Sequence, residues 1–494
     1  MKKLIILTLG IVLFFSACNQ NNNSKSSDST KSVVYDIVIE NGRVIDPETK
    51  TDKVMNVGIK EDKIVKLSTK TLKGRKVLDA KGKIVAPGAI DLHHHSPTIF
   101  GANNSNRDGV TTILELEAGS YPVTSAGTML ENKSKVHFGA SSSHIMIRIK
   151  VIEGKDLGYY DMGDQTTPAW YQKSTLDEIA EIEKLHHQAL ENGAIGIGLL
   201  LDYMTNAITD EELDMVFRVA AEHQVPVFVH VRRYVNGDIR GLKEIIDLAK
   251  EKGTHAHICH LNANAMGNYQ AWLDAIDEAN TEGAKITTEI FPYTAGSTNI
   301  TADVFTRDWQ TIFDITSKDV QISSSGKYFT SLKEFEDYKD NNPTAVIIHH
   351  YMKEEWIKAE LKYPNMIVST DAMPSVSTEA KVVPNGIGSY TKLLAHYVRD
   401  EKWISLMDAI SMSSYRPAKL LENAAPVFKN KGRIQEGADA DIIVFDMNKL
   451  ETKASFINPY QLSTGYDYIL TAGQIVVNHD KGTGATPGKR LLAK

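Results

Sequence analysis

Cysteine is nearly missing from this chain of 494 residues: only Cys18 and Cys259 occur. Cys18 sits in a leader-like start, so one thiol remains for the fold and no internal disulfide can staple it. Neither sign of charge dominates. The 55 Lys and Arg stand against 62 Asp and Glu, a net charge of −7, which gives no reason to expect a nucleic-acid partner. The apolar run at the start, Leu4 to Phe15, holds 12 residues, too few for an ordinary membrane-spanning helix. Residues 19–32 contain no apolar residue at all and cannot bury enough surface to order themselves. The whole composition, 42% hydrophobic and 24% charged, is that of a folded protein. The length suffices for a large barrel plus a satellite domain.

The start of the chain reads as an export signal. Met1-Lys2-Lys3 is a short positive segment, Leu4 to Phe15 an apolar core, and Ser16-Ala17 places small residues just before Cys18. This arrangement resembles a bacterial lipobox. It implies a signal peptide over 1–18, cleavage before Cys18, and lipid on its sulfur and amine. Residues 19–32 then form a flexible tether, and the expected location is the extracytoplasmic side of a bacterial cell envelope, with the membrane as partner.

Residues 33–86 alternate apolar and polar, as in Tyr35-Asp36-Ile37-Val38-Ile39, with a turn at Asn41-Gly42. The end of the chain does the same at Ala440–Asp446, Tyr468–Leu470 and Gln474–Val477. These patterns predict short antiparallel strands, and a small β-sandwich built from 33–86 and 425–494. Residues 87–424 alternate strands with amphipathic helices, which predicts an α/β fold, a (β/α)8 TIM barrel. Nine strand candidates compete for eight places. They are the strand carrying His93, one near 137–147, and Ile113–Glu117, Ala194–Leu199, Val225–Val231, His255–His260, Ile286–Phe291, Val346–His349 and Met366–Ser369. Residues 300–340 have few barrel-like runs and read as an insertion over the barrel mouth.

Four segments carry the chemistry. In Pro87-Gly88-Ala89-Ile90-Asp91-Leu92-His93-His94-His95, alternation along a strand sends His93 and His95 to one side, as two ligands of one metal require. Asp91 shares that face and is expected to orient a ligating ring; His94 points away. His230 and His260 close two later strands, and in a barrel such ends converge on one mouth. His257 lies deeper, on the opposite face, and is left out. Asp371 ends the apolar strand at Met366–Ser369 and suits a base or a ligand. In Gly109–Glu117, Glu115 and Glu117 share a face and are costly to bury unless paired or metal-bound. Glu117 is nearer the strand end and is the candidate bridge between two metals. Nitrogen and carboxylate ligands suit one or two zinc ions. Such a centre makes water nucleophilic near neutral pH, with Asp371 to take its proton and return it to a leaving amine.

These motifs resemble the amidohydrolase superfamily from Tyr35 to the end. Within it, Phe291-Pro292-Tyr293-Thr294-Ala295-Gly296-Ser297-Thr298 is similar to a segment of the N-acyl-D-amino-acid deacylase (D-aminoacylase) family. Gly432-Arg433-Ile434, Gly437–Asp441 and Thr483–Gly488 fit it too. The resemblance implies hydrolysis of a linear amide, an N-acyl-D-amino acid, to a carboxylate and a D-amino acid. It makes His93 and His95 ligands of one metal position, His230 and His260 ligands of the other, and Asp371 the acid/base.

Two departures stand out. Where D-aminoacylases have a bridging cysteine, this chain reads Leu116-Glu117-Ala118-Gly119. Where they often have a lysine two residues past the last ligand, it has Asn262. Both variants look more like the D-glutamate deacylase branch, so acidic side chains such as D-glutamate are among the expected substrates. A carboxylate-bearing substrate needs cationic or hydroxyl partners; Arg232, two residues past His230, is the nearest candidate, with Tyr293 and Ser297. The rival readings are a cyclic-amide or dipeptide hydrolase of the same superfamily, dihydroorotase-like or isoaspartyl-dipeptidase-like, and a non-catalytic surface binding lipoprotein.

Overall fold

Eight short apolar segments in the middle of the chain pair in parallel, each strand hydrogen-bonded to the next along the sequence. In the computed structural model, which describes residues 33–159, 164–379 and 381–493, they are β1 (Ala89–Asp91), β2 (Val110–Ser120), β3 (His137–Ser143), β4 (Ile197–Leu200), β5 (Val227–His230), β6 (His255–Ile258), β7 (Lys285–Ile290) and β8 (Ile367–Val368). The leader and tether read at 1–32 lie outside the described residues. The sheet curls until its first and last strands meet. Just past their ends, the His95 N–H donates to the Ala372 carbonyl at 2.9 Å, and the Ala372 N–H to the His93 carbonyl at 3.3 Å. Asp91 latches the same seam. Its buried carboxylate accepts from the Thr370 N–H at 3.0 Å and from the Thr370 hydroxyl at 2.6 Å.

The helices around the barrel form because their apolar residues recur at helical spacing. Leu176–Glu191 buries Ile179, Ile182, Leu185 and Ala189; Arg240–Lys252 buries Leu242, Ile245, Ile246 and Ala249. Thr175 and Glu178 start the first of these with reciprocal side-chain and backbone hydrogen bonds, which satisfy donors that an open helix end leaves unpaired. Inside the barrel, Ile90, Leu92, Leu114, Leu116, Phe228 and Ile367 belong to one buried cluster. The barrel is therefore a packed plug, and space opens only at its carboxyl-end rim.

Of the nine strand candidates, Val346–His349 is the one outside the barrel. It runs antiparallel to Gly296–Asn299 and to Val320–Ile322 in a separate three-stranded sheet. A cluster including Phe305, Trp309, Phe313, Phe329 and Phe335 packs against that sheet. The strand expected near 137–147 stops at Ser143, whose hydroxyl accepts from the Met146 N–H and caps the helix that follows.

Both chain ends contribute to a nine-stranded sheet. The join is the antiparallel pair Ile84–Pro87 with Ile442–Phe445. Ile37, Val57, Ile64 and Val85 from one end share a core with Ile442, Val444 and Leu470 from the other.

Replacing Asp91 by Ala strands the buried Thr370 N–H and the His93 N–H, while the Thr370 hydroxyl keeps the His93 carbonyl at 3.3 Å. The expected loss is about 1–3 kcal/mol for each unsatisfied group, read as a lower urea midpoint at unchanged m-value.

Candidate metal centre

The strand ends bring four imidazoles and two acids to one rim. His93 Nε2 and His95 Nε2 lie 3.0 Å apart. Glu117 Oε2 stands 3.1 and 3.3 Å from them, and Asp371 Oδ1 stands 3.4 and 3.5 Å away. Ligand atoms about 2.0–2.1 Å from a tetrahedral zinc are about 3.3 Å from one another, so these four atoms have the spacing of a coordination shell. On the other side of the same carboxylate, Glu117 Oε1 lies 3.0 Å from His230 Nδ1 and 2.8 Å from His260 Nε2, and those two nitrogens are 3.0 Å apart. Each oxygen of Glu117 serves a different histidine pair, so the geometry is that of a bridge. The Cys259 thiol is also within ligand reach of His93 and Glu117, on the inner side.

Two of these residues sit on strained backbone. His260 and Asp371 have φ of +32° and +50°, in the left-handed region that a non-glycine residue adopts at a cost. Each belongs to a segment that has just left its strand, and the turn aims the side chain across the rim.

The rings are held from behind. His93 Nδ1 contacts Glu289 Oε1 at 2.6 Å, and His95 Nδ1 contacts Glu115 Oε2 at 2.9 Å. His260 Nδ1 lies 3.2 Å from the Asn264 amide, and His230 Nε2 lies 3.4 Å from Arg233 Nη2. Anchoring one ring nitrogen fixes the tautomer and points the other at the centre. Glu115 also accepts from the Ala118 N–H at 3.1 Å and from the Tyr159 hydroxyl. Glu289 faces His257 Nε2 at 3.3 Å.

Charge balance follows. Burial disfavours the ionised form of Glu117, but His93, His260 and His230 outweigh it and hold the carboxyl well below its usual range. Burial likewise opposes ionisation of Glu289, and His257 and His93 overcome it. His93 is pushed down by burial and then well up by Glu117 and Asp371. His230 is pushed down to about 4 by burial and by His260.

Thus His93, His95, Glu117, His230, His260 and Asp371 come together as the spacing implied. Other expectations need correction. Asp91 orients no ring; it latches the barrel seam, and Glu289 and Glu115 hold the rings instead. Arg232 turns away from the rim. Its guanidinium pairs with Glu244 and donates to the Thr205 and Ile208 carbonyls. The strand ends at His230, so the alternation that put Arg232 on the ligand side no longer applies, and Arg233 takes that place. Tyr293 lies outside the cavity, its ring 4.7 Å from the Lys392 ammonium, because the chain leaves the barrel after Ile290. Ser297 does line the cavity, with its hydroxyl donating to the Ile347 carbonyl at 3.0 Å. That cavity, about 300 Å³, opens on the centre and is walled by Trp170, Tyr203, Phe291, Val346 and Tyr351.

A parallel barrel whose rim carries two histidine pairs joined by a carboxylate defines a class, the barrel proteins with a two-site metal centre. More specifically, the chain belongs to the amidohydrolase family, whose sequence pattern matches residues 84–465. An N-acyl-D-glutamate deacylase of Alcaligenes xylosoxydans xylosoxydans is 26% identical over 470 residues, covering 89% of this chain and 93% of that protein. A D-aminoacylase of the same organism is 22% identical over 483 residues, 93% of this chain and 98% of the relative. The crystal structure of an N-acyl-D-glutamate deacylase from Bordetella bronchiseptica, complexed with zinc and a phosphonate inhibitor, superposes with a TM-score of 0.76. It is 22% identical and covers 94% of this chain and all of its own.

Removing the bridge should empty the centre: Glu117→Ala is expected to bind clearly less metal than the parent when both are counted by elemental analysis. Glu289→Gln keeps every ligand atom but weakens the hold on His93, and metal affinity is expected to fall about 10- to 100-fold in a chelator competition.

Proposed function

We propose that the protein is a metal-dependent hydrolase of N-acyl-D-amino acids, releasing a carboxylate and a free D-amino acid. The observation that carries this reading is Glu117 joining two histidine pairs, with Asp371 beside them on the cavity side. The donor set suits zinc: nitrogen and oxygen atoms at coordination spacing, with ring nitrogens anchored from behind. Zinc held by His93 and His95 on one side and His230 and His260 on the other, with Glu117 between, would supply Lewis acidity, lowering the pKa of water and polarising a carbonyl. The amide chemistry and the D configuration are supported by the two Alcaligenes relatives, each of which this chain covers over most of its length.

Asp371 does the proton work. Burial opposes its ionisation, but His93 and His95 hold it below its usual pKa, so it begins as a base. It takes a proton from the attacking water as the new C–O bond forms. It returns that proton to the amide nitrogen as the C–N bond breaks, and the amine leaves neutral. Glu289 and Glu115 keep His93 and His95 oriented throughout. The cavity walls exclude bulk water, which strengthens each charge interaction inside.

The deciding experiment incubates metal-replete protein with N-acetyl and N-formyl derivatives of D- and L-amino acids, alongside dihydroorotate and hydantoin, and measures free amine and ring opening. Amine release confined to the D-series is expected; ring opening without it would overturn the reading. Asp371→Asn retains His93, His95 and Glu117, so it is expected to keep its metal while kcat falls about 10²- to 10⁴-fold.

We also propose that the protein is held at a bacterial envelope by lipid on Cys18. The positive start, apolar core and small residues before Cys18 support this, and among the described residues no helix is long and apolar enough to cross a membrane. Cys18→Ser is expected to abolish labelling by radioactive fatty acid and to move the protein from the membrane pellet to the soluble fraction.

A further inference from the structure

Arg233 is the only lysine or arginine among the described residues lining the cavity. It is buried, and its Nε–H has no partner. Its Nη2 donates to Asn264 Oδ1 at 2.9 Å and lies 3.4 Å from His230 Nε2. Its carboxylate neighbour Asp202 stands 3.6 Å from Nη1 and is shared: the Arg307 guanidinium donates to Asp202 at 2.7 Å. Arg233 therefore keeps a free Nε–H beside the centre and shares its one acid with a second guanidinium. The position fits the reaction. In an N-acyl amino acid the α-carboxylate carbon is three bonds from the scissile carbonyl carbon, so the two stand at most about 4 Å apart. A cation touching a ligand histidine is within that reach.

The rest of the cavity has no second cation. His349 lines it, but burial and Arg233 hold its pKa well below the usual value, so the ring is neutral. The remaining walls include Trp170, Leu200, Phe291, Val304, Val346 and Tyr351, and the acids present are Asp202, Glu117 and Asp371. A second carboxylate on the substrate would find hydroxyl and amide groups such as Thr298 and Asn299 but no second cation, and would face three acids, so it costs more to desolvate than a neutral side chain.

Resting on the deacylase reading, we propose that Arg233 takes the substrate's single α-carboxylate while the apolar walls take a neutral side chain, so that N-acyl derivatives of apolar D-amino acids are favoured over those of D-glutamate and D-aspartate. Arg233 thereby sets substrate preference; it takes no part in bond making.

The test measures kcat/KM on N-acetyl-D-leucine, N-acetyl-D-glutamate and N-acetyl-D-leucinamide, which lacks the carboxylate. The parent enzyme is expected to favour D-leucine over D-glutamate by about tenfold or more, and the acid over the amide by about 10- to 100-fold. In Arg233→Met, assayed with metal in excess, the acid-over-amide preference should vanish, chiefly through KM; Arg233→Lys should restore part of it. A parent enzyme faster on D-glutamate overturns the proposal without needing any variant, as does an acid-over-amide preference that survives in Arg233→Met. If no N-acyl-D-amino acid is turned over at all, the deacylase reading falls and this proposal with it.

Discussion

Glu115, Glu117 and Glu289 lie in the barrel rim with at most 3% of their surface exposed, where a carboxylate left uncompensated would cost several kcal/mol. Each is answered by imidazole. Glu115 faces His95, Glu289 faces both His93 and His257, and Glu117 touches four rings at once. Exchanging any one acid for an apolar residue would leave its rings unanchored, so the acids and histidines form one unit. The positions of the surrounding strands serve that unit.

The scaffold supplies what the unit needs. The barrel interior is filled, so among the described residues ligands and substrate meet at the rim, and the three-stranded sheet with its aromatic cluster walls one side of the cavity. The strain at His260 and Asp371 is stored where the chain turns from strand to loop, and the packed strands beneath over-determine those conformations. The flanking helices Leu176–Glu191 and Arg240–Lys252 contribute mainly through their buried faces.

Much of the centre was legible because metal ligation leaves a pattern. Two histidines at alternate strand positions, and single histidines at later strand ends, become neighbours by the closure rule of a parallel barrel alone. Glu117 was legible from burial cost and parity. Glu289, in Thr287-Thr288-Glu289-Ile290, was open to the same burial argument but carries no motif to draw the eye. Arg232 misled because alternation holds only while the strand lasts, and the strand stops at His230. Val346–His349 passed for a barrel strand since a short apolar run encodes burial and not direction; its partner strands alone reveal that it runs antiparallel. Arg233 was hidden beside Arg232, distinguishable only once the backbone turn was known.

The seam between the first and last barrel strands ties Asp91 to Thr370, 279 residues apart, and the ligands span nearly the same interval. During synthesis the amino-terminal histidines emerge long before Asp371 exists. Contacts of such separation form late and slowly, so the complete pocket cannot assemble on a nascent fragment. Cation capture by the full ligand set is thereby deferred until the polypeptide has almost finished folding, and a truncated chain is left without a working centre.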